Sequence, residues 1–259
     1  GERARFSFVY EAGPLGIAEG GAIVFHPSPF WGWSVPQVDA PEAPGYTEVR
    51  SEAEGVRLAL RAPGAPPLVE IVVEGRALRA GGSVRVTYGA GPARAVVDRF
   101  AERGERFTFA VDGDGDGVRA LLDDLPAVDI GPGPPARLVV WLPAPARPGE
   151  TVPITTAVLD ALGNAGLPVD AIVRLEGGAP GLVAPAEIAL EPAHAGRRTV
   201  TARVEAEGVF RVRAESDGGL VAESNPMVVR AEGARLLWAD LHGHSAASDG
   251  TGTPEDWYA

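Results

Sequence analysis

The feature that most restricts what this chain can fold into is the rhythm with which glycine and proline interrupt it. There are 34 Gly and 24 Pro in 259 residues, so few uninterrupted stretches are long enough for a helix. Between the interruptions lie short segments with an apolar residue at every second position: Arg5–Glu11 (RFSFVYE), Ser83–Gly89 (SVRVTYG) and Arg106–Asp112 (RFTFAVD). A period of two is that of a strand with one buried face. Leu68–Glu74 (LVEIVVE) is more uniformly apolar and suits a central sandwich strand. Helical periodicity is nearly absent before residue 250. Strands at this density, separated by turn residues, predict a mainly β chain built of sandwiches rather than βαβ units.

A first boundary is expected at Gly131–Pro135 (GPGPP), where clustered Pro and Gly cannot continue a hydrogen-bonded ladder. A second alternating set follows: Arg137–Leu142, Thr151–Asp160, Val169–Glu176, Arg198–Glu207, Val209–Glu215 and Pro226–Arg230. Asp160–Gly166 (DALGNAG) reads as a turn, with Asn164 and the glycines expected at positive φ. The pattern therefore predicts a β-sandwich over 1–131 and an immunoglobulin-like sandwich over 136–231.

Charge narrows the choice of partners. With 23 basic and 35 acidic residues the chain carries a net charge of −12, and every basic residue is Arg. Phosphate-backbone binding draws on clustered cations, so no nucleic-acid partner is expected. An anionic membrane surface is disfavoured on the same ground, and no apolar run approaches the roughly 20 residues of a membrane span. The chain has no cysteine, so it has neither disulfides nor thiolate ligands. That composition mildly favours the cytoplasm, but the first residue is Gly1 rather than Met, so a removed leader and export stay open.

The pattern changes at Arg235. Leu236–Leu241 (LLWADL) reads as a compact strand, polar and small residues follow, and Thr253-Pro254-Glu255 has the form of a helix start. Strand, loop and helix make one βα unit over 235–259, expected to be cut off because the chain stops one turn into the helix. Asp240, His242 and His244 are spaced by two, so on a continuing strand they share a face. Imidazole nitrogens so held can converge on Zn, Fe or Mn. Asp249 follows in a loop flanked by Gly250 and could add a carboxylate oxygen. Spacing alone is better explained by polar residues at a strand end.

The whole string, Asp240-Leu241-His242-Gly243-His244-Ser245-Ala246-Ala247-Ser248-Asp249-Gly250, with Pro254 and Glu255 beyond it, resembles the first motif of the PHP (polymerase and histidinol phosphatase) family. The resemblance implies the start of a distorted (β/α) barrel holding two or three divalent metals, Zn, Mn or Fe. It implies His242, His244 and Asp249 as ligands, with Asp240 orienting a ligand imidazole from behind. The implied chemistry is hydrolysis of a small-molecule or phosphoester substrate by metal-activated water. The family's later ligands have no counterpart in this sequence, so the fragment itself is expected to be inactive. Upstream, Phe8–Gly16, His26–Gln37, Arg106–Asp112 and Gly131–Arg137 look like the large family that joins β-sandwich domains to a C-terminal PHP domain. Carbaryl-hydrolase-like enzymes of the same superfamily extend the implied substrates to esters and carbamates. The competing class is a non-catalytic β-sandwich that binds or scaffolds a partner.

Three weaker signals remain. Asp112–Gly117 (DGDGDG) places Asp112, Asp114 and Asp116 at alternate positions of a calcium-type loop, with Asp123 at the twelfth. Arg119 at the eighth position and the lack of flanking helices favour a solvated turn instead. Phe25, Phe30, Trp31 and Trp33 crowd a proline-broken segment and are expected to pack between domains rather than to form a sugar-binding surface. His26 and His194 lie far upstream of the motif and are expected to be structural.

Overall fold

The computed structural model describes residues 2–28, 32–177, 180–235 and 253. The expected βα unit over 235–259 lies outside these, apart from Arg235 and Thr253. Within them the chain is nearly all β, and a single 3-10 turn at Pro192–His194 is the helical structure among the described residues.

Two compact units emerge, and the first is not continuous in sequence: it comprises Gly1–Pro134 together with Asp160–Gly166. Its larger sheet runs, in spatial order, Ala120–Leu121, Thr108–Asp112, Ala22–His26, Val69–Glu74 and Arg57–Arg61; the smaller runs Phe6–Glu11, Ser83–Tyr88 and Thr47–Ser51. Every pairing in both sheets is antiparallel. Register places Ile23 between Val111 and Ile71, and Phe25 between Phe109 and Val69. The inward residues of the uniformly apolar Val69–Glu74 strand, Val69, Ile71 and Val73, are wholly buried, as a central position requires. Burial of each such side chain contributes about 1.5–3 kcal/mol. In the smaller sheet the alternation is strict: Phe6, Phe8 and Tyr10 lean inward, whereas Ser7, Val9 and Glu11 face solvent.

The core of this unit is aromatic. Phe107 stacks obliquely against Phe6 and Phe8, each 4.9 Å between ring centroids, and Phe25 meets Phe109 at 5.2 Å. Trp33 closes the cluster, 5.3 Å from Phe107. Phe25 and Trp33 are therefore core side chains of the first unit, and the expectation that they pack between domains is corrected for both. Phe30 and Trp31 lie outside the described residues.

The segment expected as one strand over 106–112 is divided. Glu102–Arg106 pairs with Ala127–Ile130, and Thr108–Asp112 pairs with Ala22–His26. Phe107 sits at the join and is buried. The apolar alternation begins only at Phe107, and Glu102–Arg106 before it has no apolar residue, so periodicity carries no sign of the preceding strand or of the change of partner.

The second unit comprises Pro135–Leu159 and Leu167–Ala259. One sheet runs Arg137–Trp141, Thr151–Leu159, Arg197–Val204 and Leu182–Val183; another runs Glu187–Leu190, Ala171–Gly177, Val212–Ser216 and Val221–Glu223. Both feed one core, which includes Val140, Ile154, Val173, Leu190, Val204 and Ala214. A third, small sheet joins Pro145–Ala146 in parallel to Met227–Val229, which pairs with Gly208–Phe210. This is the sandwich layout that the alternating segments predicted.

Candidate functional site

Among the described residues one group of side chains has the donor chemistry of a cation site. The Thr108–Asp112 strand delivers Asp112 to the start of the DGDGDG loop, where it is buried. Its Oδ1 accepts the Gly115 N–H at 2.7 Å and its Oδ2 the Gly117 N–H at 2.9 Å. Asp116 Oδ1 accepts the Val118 N–H at 2.7 Å, and a longer contact of 3.4 Å joins the Asp116 N–H to Asp114 Oδ1. Gly115 and Gly117 have φ of 82° and 89°, a region that side-chain-bearing residues rarely adopt. Gly115 also lies where an added Cβ would sit 3.1 Å from the Gly20 backbone. These glycines let the loop curl tightly enough to bring ligand oxygens of Asp112, Asp114 and Asp116 within 4.8 Å of one another.

Three carboxylates so placed offer hard oxygen donors suited to a divalent cation such as calcium. The loop also has a purely structural rationale. Burial acts to raise the pKa of Asp112, but N–H donors from Gly115, Gly117, Asp114 and Asp116 outweigh it and hold the carboxyl below its ordinary value. Asp123 is not part of the cluster; it lines a separate cleft with Phe8 and Glu11. The flanking elements are strands rather than helices.

A second polar centre was not anticipated. Asp160, also buried, accepts four hydrogen bonds of 2.8 Å: Oδ1 from the Leu162 and Asn164 N–H groups, Oδ2 from the Gly133 N–H and the Asn164 side-chain amide. Asn164 in turn donates to the Arg99 carbonyl at 2.9 Å and accepts the Ala101 N–H at 3.0 Å. All of these residues belong to the first unit. Both oxygens of Asp160 are committed to protein donors, which identifies the centre as structural. The nearest sequence signal was the DALGNAG turn itself.

Both upstream histidines lie outside these clusters. His26 ends the Ala22–His26 strand, and its buried Nε2 has no partner among the described residues. Burial lowers its pKa. His194 accepts the Glu191 N–H at Nδ1, 2.9 Å, and so closes the 3-10 turn. His242, His244, Asp249 and Asp240 lie outside the described residues, so the structure neither brings them together nor separates them.

No protein-family model matches the chain, and comparison with curated proteins gives no match either. Among solved structures it is similar to the D00-D0 domain of intimin, at 12% identity and TM-score 0.30, covering 76% of this chain and 98% of that one. It is also similar to InvD of Yersinia pseudotuberculosis, at 16% identity and TM-score 0.32, covering 86% and 56%. A CARDB domain from Pyrococcus furiosus gives 17% identity and TM-score 0.25 over 37% of this chain and 94% of that one. Likenesses this low say nothing of activity.

Proposed function

We propose that this chain carries the opening segment of a metal-dependent hydrolase of the PHP superfamily, with phosphoesters as the first substrate class and esters or carbamates as the next. The observation that carries the reading is the run Asp240 to Gly250, in which two histidines, a following aspartate and the intervening Ser and Gly residues fall at the spacing of the family's first motif. The donor set fits the metals in question. Two imidazoles and one carboxylate suit Zn, Mn or Fe, and the cysteine-free chain holds no softer competitor.

In this reading His242 and His244 hold the metal through neutral ring nitrogens, Asp249 adds an oxygen, and Asp240 fixes an imidazole through its second nitrogen. When bound, the metal supplies Lewis-acid polarisation and an acidified water. Two His and one Asp do not close a site for two or three ions, so further His, Glu and Asp ligands from the same barrel complete it. The two sandwiches take no part in the chemistry.

Metal content tests the reading. Protein extended through the barrel and purified without chelators is expected to contain stoichiometric Zn, Mn or Fe, and His242→Ala with His244→Ala is expected to lose most of it. An extended protein that stays metal-free when supplied with all three ions sinks the hydrolase. The second reading, a binding or scaffolding module, would then stand. It is favoured by one feature of the described residues, an open strand edge in the first unit.

A further inference from the structure

Among the described residues Phe6–Glu11 is the outermost strand of its three-stranded sheet, paired on one side only, with Ser83–Tyr88. One step past that ladder the Ala12 N–H donates to the Gly82 carbonyl at 2.9 Å, continuing the same register. Hydrogen-bonded and non-hydrogen-bonded pairs alternate along an antiparallel ladder. Counting back from Ala12, the backbone groups of Tyr10, Phe8 and Phe6 therefore face the partner strand. Those of Ser7, Val9 and Glu11 point away from it, and among the described residues none has a backbone partner.

Natural sheets usually blunt such an edge with a proline, a bulge or an inward charge. None is present here: the six-residue register is unbroken, and its middle is Val9, an apolar side chain 56% exposed. Alongside the edge runs an open cleft of about 450 Å³. Its floor is apolar, formed by Phe8, Tyr10, Phe109 and Leu122; its rim carries Glu11, Asp123 and Asp124, and among the described residues no basic one lines it. Edge, apolar floor and single-signed rim together define the occupant: main-chain groups for the edge, an apolar side chain at every second position for the floor, and cations for the rim.

We propose that the Phe6–Glu11 edge is a docking site at which an extended basic peptide segment of a partner protein adds as a further strand. Main-chain hydrogen bonds to Ser7, Val9 and Glu11 supply the affinity, alternate apolar side chains enter the cleft, and Arg or Lys meets Glu11, Asp123 and Asp124. A second copy of this chain fits less well, because each copy brings the same acidic rim and a net charge of −12. This inference is independent of the metal motif.

The test uses the whole chain with two short fluorescein-labelled peptides, one alternating arginine with valine and one alternating glutamate with valine. Fluorescence anisotropy is expected to show saturable binding of the arginine peptide alone, weakened by salt and by about fivefold in Asp123→Asn with Asp124→Asn. Val9→Pro removes an N–H that the ladder does not use, so the sandwich should tolerate it; the arginine peptide should no longer bind. Because that variant could still disturb the strand, amide exchange on the unaltered chain is the second readout, and Ser7, Val9 and Glu11 should slow when the arginine peptide is added. The proposal is overturned by equal binding of both peptides, by binding of neither, or by unchanged exchange at those amides. A concentration-dependent dimer that protects the same edge overturns it in favour of self-pairing.

Discussion

A buried carboxylate needs a compensating arrangement, and at Asp160 that arrangement is nearly all backbone. Burial acts to raise its pKa, but the Gly133, Asn164 and Leu162 N–H groups and the Asn164 amide more than offset this, and the carboxyl is held down to about 2 against an ordinary value of 3.8. A group with a depressed folded-state pKa stabilises the fold fully above its unfolded pKa and loses that contribution as pH falls through the folded one. The Asp160 contribution should therefore be complete above about pH 4 and fade towards about pH 2. Asp160→Asn keeps the shape but turns an amide toward donors. We expect its Tm to fall by several degrees at neutral pH and the difference from the parent to shrink as pH drops through that window. A difference that stays constant with pH would show that charge is not what the site uses. Asp112, also held below its ordinary value, should preserve part of the acid sensitivity in the variant. Sequence reading reached this loop but misassigned Asn164: Gly163 and Gly166 take positive φ as expected, whereas Asn164 does not. Its side chain is spent on Asp160, Arg99 and Ala101, and a partner more than sixty residues away leaves no local trace. Asn225 was passed over in the same way; its amide donates to and accepts from the Leu142 backbone, at 2.8 and 3.0 Å.

At the scale of elements, the strands with clear alternation were legible, whereas Ala22–His26, Thr47–Ser51 and Arg57–Arg61, which lack it, were not, and neither was strand partnership. Alternation depends only on which residues face the core, so Phe6–Glu11, Val69–Glu74 and Ser83–Tyr88 fall where the sequence placed them. Phe107 shows the limit. It opens the apolar inward set of Thr108–Asp112 at the point where the chain exchanges Ala127–Ile130 for Ala22–His26 as its neighbour, after a strand of charged residues and glycine that alternation does not mark. With Phe6, Phe8, Phe25 and Trp33 around it, truncation there should be among the costliest in the first unit. Phe107→Ala is expected to lose about 3–5 kcal/mol in chemical denaturation. Val9→Ala, in the outward set of Phe6–Glu11, should stay within about 0.5 kcal/mol of the parent. Equal losses at the two positions would mean that the inward and outward faces have been misassigned. The candidate cation loop was likewise half legible: spacing announced the Asp112, Asp114 and Asp116 cluster, but the departure of Asp123 to another cleft follows from the Ala120–Leu121 strand pairing back on Ala110 and Val111.

The whole molecule differs most from what a linear reading suggests in how its units are cut from the chain. Composition marks one break at Gly131–Pro135, and a dissection designed from it would express the first sandwich as a continuous piece. The compact first unit instead includes Asp160–Gly166, seven residues that the chain contributes from within the span of the second. Removing them takes away the Asp160 acceptor from the Gly133 N–H, the Asn164 acceptor from the Ala101 N–H and the Asn164 donor from the Arg99 carbonyl. Exposed to water those groups find new partners, so the piece should still fold around its aromatic core, which needs none of the seven residues. It should fold less stably and less tightly at one end. We therefore expect residues 1–134 alone to melt below the first unit in the intact chain, with fast amide exchange confined to Ala101, Gly133 and their neighbours. Val69, Ile71 and Val73 should keep their protection. Uniformly fast exchange would mean that the sandwich depends on the inserted loop for its fold, and unchanged exchange at Ala101 and Gly133 would mean that the loop contributes nothing to holding them.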